Sequence, residues 1–320
     1  MSLVSPRYLH LWKDLQAFDF YFDRSIPFEK ASLFVNSVLS LRKSRDIQKF
    51  HLTLTFDRYK SFDIKKFQAK CVEIWILAAI GPHLQELILS ISSYCIKLPP
   101  SFFINCTNLV SLRFSGAIDM LVQDYSVHFP SLKKLSLGAD IVCTPQIHYF
   151  SFSLAAPTSK LCSLALIFDV TVYMQWPIHA PVLDYPEFRH LHHLKLILLC
   201  FNSNLLGHVL EQCHMLQVLI IQSNKEEPPP LRTWQPESTT VSQCLKSHLT
   251  YIHLEGYQGL EDELTFAEYI LRNGLFLKTM LIFVDISMDK KDKDCSLKRL
   301  TDIPRGSIMC QLEFDPAVSP

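Results

Sequence analysis

A short pattern, apolar-x-x-apolar-x-apolar, recurs along most of this chain. It reads Ile47-Phe50-Leu52, Leu84-Leu87-Leu89, Leu109-Leu112-Phe114, Leu132-Leu135-Leu137 and Leu161-Leu164-Leu166. It continues as Leu191-Leu194-Leu196, Leu216-Leu219-Ile221, Leu249-Ile252-Leu254 and Leu277-Met280-Ile282. From the second unit to the seventh the starts fall at 84, 109, 132, 161, 191 and 216, steps of 25, 23, 29, 30 and 25 residues. Leucine-rich repeats run roughly 20–29 residues per unit. A lone Leu-x-x-Leu means little, because any amphipathic helix produces it. Many copies in near-regular order constrain the fold far more. The first step, from 47 to 84, is longer and holds an insertion or a longer helix.

The last two apolar positions of each unit are two residues apart, which is strand spacing, so both side chains fall on one face. The first lies three residues earlier, where the chain bends into the strand. One unit cannot bury its own apolar face; stacking units in parallel makes one continuous core. The expectation is an α/β leucine-rich-repeat solenoid with one long parallel sheet. The segments between strands suit return elements. Lys30–Lys43, Lys66–Ile80 and Glu263–Gly274 carry helix-spaced apolar residues, with Gly274 as a C-cap. Leu98-Pro99-Pro100 and Phe129-Pro130 suit extended or turn backbone. A regular repeat places Asn or Cys three residues after the last strand Leu. Here those positions are Ser92, Ala117, Asp140, Asp169, Leu199, Asn224 and Tyr257, so only Asn224 fits and the expectation is an irregular array.

Composition narrows the function. Apolar residues make up 48% of the 320, enough for a continuous core. Lys plus Arg and Asp plus Glu are both 31, so the chain lacks the basic excess of a nucleic-acid binder. No apolar run approaches the ~18 residues of a membrane span, and Met1–His10 is no signal peptide. The ten cysteines form no C-x-x-C pair and read as reduced, buried small hydrophobes. The expected location is cytoplasmic or nuclear, where the sequon Asn105-Cys106-Thr107 is silent.

Catalytic signatures are missing from the sequence: there is no G-x-G-x-x-G, Walker loop, G-x-S-x-G or H-E-x-x-H. In His190-x-His192-His193 the adjacent pair points to opposite sides of a strand, which disfavours a metal site. The run Asp289-Lys290-Lys291-Asp292-Lys293-Asp294 reads as a solvated loop rather than a calcium site. The reading is therefore a non-catalytic binding protein with no cofactor and no metal.

Two stretches carry a family resemblance. After the break at Glu226-Glu227-Pro228-Pro229-Pro230 come Cys244-Leu245, Leu249, Gly256-Tyr257-x-Gly259, a helix, Leu277-Lys278-x-Met280 and Pro304-Arg305-x-Ser307-x-x-Cys310-x-Leu312-x-Phe314. This order resembles the FBD region of plant F-box/leucine-rich-repeat proteins. Phe34-Val35-x-x-Val38-Leu39-x-Leu41-Arg42, Ile47-x-Lys49-Phe50 and Trp75-Ile76-x-Ala78-Ala79 are typical of the same family. Ser5-x-Arg7-Tyr8-x-x-Leu11-Trp12-x-x-Leu15 looks like the tail of an F-box, with Pro6 and Leu9 where the family has basic residues. The resemblance implies a substrate receptor of a Skp1–cullin–F-box ubiquitin ligase, with a captured protein as partner. The alternative is a ligase-independent scaffold, because an F-box needs about 40–50 residues and only its end is recognisable. Tyr8, Leu11 and Trp12 are then the adaptor-binding remnant, and a Skp1-like adaptor would be bound weakly or not at all.

The expected organisation is 1–25 as F-box tail and cap, 26–230 as the repeat array and 231–320 as an FBD-like continuation. Residues that flank the core positions of each strand face the other way and form the expected partner surface. They include Glu86 and Ile88, Arg113, Lys134 and Ser136, His193 and Lys195, Val218 and Ile220, and Tyr251 and His253.

Overall fold

The computed structural model describes residues 11–43, 46–55, 62–119, 129–139, 161–167, 190–198, 201–223 and 241–314. These fall into two compact units, one holding the strands before residue 140 and the other those from Leu161 onward. The charged and proline break at 226–230 lies outside the described residues.

The first unit opens with a 3-10 turn at Leu11–Asp14. It continues as β1 (Ala17–Phe22), α1 (Phe28–Leu41), β2 (Lys49–Leu54), α2 (Phe62–Ala79), β3 (Glu86–Lys97), α3 (Pro100–Asn105), β4 (Ser111–Asp119) and β5 (Lys134–Ala139). Its strands pair in parallel in chain order. The second unit holds β6 (Ser163–Ile167), β7 (His193–Leu198), α4 (Ser203–Gln212), β8 (Val218–Ser223), α5 (Gln243–Ser247), β9 (Tyr251–Tyr257), α6 (Glu261–Asn273), β10 (Thr279–Val284), α7 (Lys290–Thr301) and β11 (Gln311–Phe314). Its strands too are parallel and in chain order. The architecture within each unit is mixed α/β on a parallel sheet.

The repeat pattern sets the register. Phe18, Phe50, Leu87, Leu112 and Leu135 align across the first unit. Leu194, Leu219, Ile252 and Met280 align across the second. All nine are buried. The lead-in residues Ile47, Leu84, Leu109, Leu132, Leu161, Leu191, Leu216, Leu249 and Leu277 are buried as well. Where each lead-in bends into its strand, two successive N–H groups converge on one carbonyl of the preceding unit. Gln48 and Lys49 donate to Gln16 O, Gln85 and Glu86 to Gln48 O, Val110 and Ser111 to Gln85 O, and Lys133 and Lys134 to Val110 O. The second unit repeats the device at Cys162 O, His192 O, Gln217 O and Thr250 O. Because the ladder uses only main-chain groups, it needs no consensus side chain.

Two strands lie beyond the nine copies of the pattern. β1 keeps the spacing as Leu15-x-x-Phe18-x-Phe20, but its lead-in Leu15 is exposed and Phe18, Phe20 and Phe22 supply the burial, while β11 follows a lead-in whose buried residue is Cys310. The helices expected from spacing are α1, α2 and α6; α3, α4 and α5 are too short for a periodic signal. Trp75 of α2 stacks on Phe28 with centroids 5.9 Å apart and donates its indole N–H to Asn36 Oδ1 at 2.8 Å, locking α2 to α1. In the second unit Phe201 meets Phe266 edge-on at 5.7 Å.

The charge run expected as a loop is instead the first half of α7. Asp289 caps it by accepting the Asp292 N–H at 2.8 Å, and the last turn carries Lys298 and Arg299, which complement the helix dipole. Arg299 then forks onto Glu261 with two bonds of 2.8 Å and reaches Glu268 at 2.5 Å, fastening α7 to α6. Gly116 allows a close approach at β4: its φ is +92°, and a Cβ there would lie 1.8 Å from the Ile91 carbonyl oxygen.

Leu87→Ala should cost about 2–5 kcal/mol, because it leaves a cavity in a fully buried column. Gly116→Ala should cost about 1–3 kcal/mol from backbone conformation alone, before the clash with Ile91. Urea unfolding of both variants checks this; a wild-type midpoint for either would contradict the register described here.

Candidate protein-binding face

β1, β2, β8 and β9 bury alternate residues and turn the others to the opposite face; β7 starts in the same way, but Ile197 near its end is buried as well. In the first unit the outward residues form three rows. Ala17, Lys49, Glu86, Ser111 and Lys134 are in register, as are Asp19, His51, Ile88, Arg113 and Ser136. Tyr21, Thr53, Ser90 and Ser115 follow. Glu86 accepts from Lys49 Nζ at 3.3 Å and lies 3.1 Å from His51 Nε2. Arg113 and Lys134 are exposed, while Ile88 and Ser136 are half-buried.

In the second unit His193, Val218, Tyr251 and Thr279 form one outward row. Lys195, Ile220, His253 and Leu281 form the next. His193 is exposed and the others are half-buried. The His253 ring sits 5.1 Å from that of Phe283, and its Nε2 is buried with no hydrogen-bond partner among the described residues. Burial lowers the His253 pKa; Glu255 opposes that shift and Lys195 adds to it. This face is apolar and aromatic at its centre, whereas that of the first unit is charged and rich in hydroxyls.

The residues expected on the partner surface thus lie on outward rows of their own sheets. Sequence reading began at the second repeat and so passed over Lys49 and His51, although the alternation from Phe50 and Leu52 would have placed them. Asp19 and Tyr21 were legible in the same way from Phe18, Phe20 and Phe22. Phe283 lies one alternation past the repeat pattern. Leu11 and Trp12 lie in the 3-10 turn, and Tyr8 falls outside the described residues.

Burial pushes the Cys106 thiol up to about 11 and those of Cys213 and Cys244 up to about 12, so all three stay protonated at neutral pH. Among the described residues no group of three or more His, Cys, Asp or Glu side chains could hold a metal ion. No helix among them is long and apolar enough to cross a membrane.

Around α6 the buried polar groups do structural work. Glu263 accepts the N–H groups of Gln258 (2.8 Å) and Leu260 (3.1 Å), holding the turn that enters the helix. Ser203, at the start of α4, donates to Asp262. This region coincides with a recognised module: residues 235–282 match the FBD family model, a span that runs from before α5 into β10.

The chain is 37% identical over 128 residues to an FBD-associated F-box protein of Arabidopsis thaliana, a match covering 40% of this chain and 33% of that protein. An F-box/FBD/LRR-repeat protein of the same plant is 35% identical over 35% of this chain and 26% of its own length. A further FBD-associated F-box protein of Arabidopsis aligns over 98% of this chain and 92% of itself at 23% identity. In the first two matches the chain thus spans a third or less of its relative. No solved structure matches the chain.

His253 supplies a test of this face. Its lowered folded pKa means that the unfolded chain takes up the proton first as pH falls. Its contribution to stability is therefore complete above about pH 6.5 and is lost as pH drops through the folded-state pKa. Replacing an orphaned polar ring with an apolar one of similar shape is near neutral or stabilising. His253→Phe should leave the urea midpoint at about pH 8 unchanged or higher, and should narrow its fall between about pH 8 and pH 5. An unchanged fall would show that the imidazole is solvated.

Proposed function

We propose that this FBD-bearing relative of the F-box/LRR-repeat proteins is a protein-capturing module, the substrate-recognition part of a Skp1–cullin-type ubiquitin ligase. In this reading its fold is a leucine-rich-repeat solenoid, supported by the recurring lead-in Leu, the parallel strands in chain order and the return helices. One observation carries the functional reading. Parallel sheets are ordinarily covered on both faces, and their strands then read as continuous apolar runs. Here the strands keep one buried and one outward face, and the outward residues mix charged, hydroxyl and apolar groups. A face of that kind suits a protein partner with acidic and apolar patches.

Within this reading the repeats capture and the F-box-like tail at Tyr8, Leu11 and Trp12 faces the adaptor. Recognition needs no catalytic group, cofactor or metal, and the working compartment is the cytoplasm or nucleus.

The test is to reverse Arg113, Lys134 and Lys195 to Glu together and compare the proteins recovered by affinity purification. The expected outcome is an altered set with an unchanged circular dichroism spectrum. An unchanged set would move binding away from the strand faces. A pull-down with a Skp1-like adaptor at micromolar concentration decides the ligase half. Adaptor retention that is lost in a Leu11→Ala/Trp12→Ala variant supports it, whereas partner capture without any adaptor makes the chain a ligase-independent scaffold.

A further inference from the structure

We infer that the turns leading into β10 and β11 form a peripheral membrane-docking edge, which seats on a bilayer that carries anionic lipid; the inference stands apart from the capture reading above. The turns before the strands close in one way, with the lead-in N–H donating to the carbonyl three residues earlier. Leu84 donates to Gly81 O, Leu109 to Cys106 O, Leu132 to Phe129 O, Leu216 to Cys213 O, Leu277 to Gly274 O and Cys310 to Ser307 O. The two middle residues of these turns all lie outside the core. In the first four they are Pro82-His83, Thr107-Asn108, Pro130-Ser131 and His214-Met215. In the last two they are Leu275-Phe276 and Ile308-Met309, all large and apolar. These four side chains are 52%, 55%, 97% and 72% exposed. β10 pairs with β11, so the two turns lie side by side with backbones about 4.8 Å apart. One exposed apolar side chain is ordinary, whereas a contiguous patch marks a surface that something covers.

The main chain holds these side chains out. Leu275 donates its N–H to Leu245 O at 2.9 Å, and Gly306 donates to Leu271 O at 2.8 Å. Gly306 sits so close to the end of α6 that a Cβ there would lie 2.5 Å from Arg272 O. Neither turn can fold inward without breaking these bonds.

Charge decides what the patch meets. The ends of α5, α6 and α7 with the segments after them, residues 246–250, 272–278 and 302–310, hold Lys246, Arg272, Lys278 and Arg305 against one carboxylate, Asp302. Lys246, Arg272 and Lys278 are exposed. Arg305 donates to Cys310 O at 2.6 Å, which keeps its charge beside the Ile308-Met309 turn. Apolar tips with a cationic rim match the interface of an anionic bilayer, where acyl chains receive the side chains and headgroups receive the cations. A second copy of this chain in a two-fold dimer would bring the cationic rims together, and like charges oppose that. A protein partner would need a cavity shaped to Ile308 and Met309, which stand almost clear of the surface; fluid acyl chains need none. The association is peripheral and requires no helix that crosses the bilayer.

The experiment is co-sedimentation of the 320-residue chain with vesicles of roughly three parts phosphatidylcholine to one part phosphatidylserine, and with phosphatidylcholine alone. Binding to the anionic vesicles should be at least about tenfold stronger, and should weaken as salt rises from about 0.1 M to about 0.5 M. Leu275→Thr/Phe276→Asn and Ile308→Thr/Met309→Asn each install the pair that the Thr107-Asn108 turn already carries, so the urea midpoint should not move. Each should weaken vesicle binding about tenfold or more, the fold-change of withdrawing large apolar side chains from the bilayer. Arg272→Gln/Lys278→Gln should weaken binding to the anionic vesicles by about tenfold or more and leave binding to phosphatidylcholine alone unchanged.

No sedimentation with the anionic vesicles would overturn the inference. So would binding that survives both turn variants, which would make it electrostatic adhesion without insertion. A dimer in light scattering without vesicles that the turn variants abolish would assign the patch to a second copy instead. Proteins recovered by lipid-free affinity purification should be the same for the turn variants as for wild type; their loss would give the edge to a protein partner and overturn the membrane assignment.

Discussion

Strands β2–β5 and β7–β10 are each held in place where they begin. A buried lead-in side chain bends the chain, and the two N–H groups after the bend share one carbonyl of the preceding unit. Sharing an acceptor fixes the position of each strand along its neighbour, and so which residues of the repeat meet in a column. A slip of one residue would turn the core side chains outward, and the loss of apolar burial resists it. The helices behind the strands differ widely in length, yet the register across each sheet is the same at every lead-in. Insertions can therefore collect in the returns without disturbing the outward rows.

The fixed register is what gives the outward faces a defined chemistry. In the first unit it lines up Lys49, Glu86, Ser111 and Lys134 and, beside them, His51, Arg113 and Ser136. In the second it lines up Val218 and Tyr251 and, beside them, Ile220, His253 and Leu281, with Phe283 against the His253 ring. The first face presents charge and hydrogen bonds; the second presents apolar surface with an imidazole whose pKa burial lowers.

The FBD match falls on one well-braced part of the second unit. Glu263 closes the turn before α6, Asp262 joins α6 to α4, and Arg299 fastens α7 onto α6 through two carboxylates. Gly256, also inside the match, has a φ of +78°, and a Cβ there would lie 2.3 Å from the Ser223 carbonyl oxygen. Much of what marks this segment in sequence is thus explained by packing.

The sequence by itself determined nine of the strands, their buried columns and the sidedness of their outward residues, because a period of two inside a repeat of 23–37 residues leaves one way to bury the leucines. It also marked α1, α2 and α6, whose apolar periodicity runs long enough to be seen. Only the tertiary structure decided the rest. The run at Asp289–Asp294 is a helix because Asp289 caps it and Arg299 finds Glu261 and Glu268, partners far away in sequence. Glu86 is engaged while Arg113 and Lys134 are not, a distinction set by which charges the register makes neighbours rather than by the residues themselves. Phe283 packs against the half-buried His253 ring from the next strand, and alternation along β9 carries no information about what lies across the ladder.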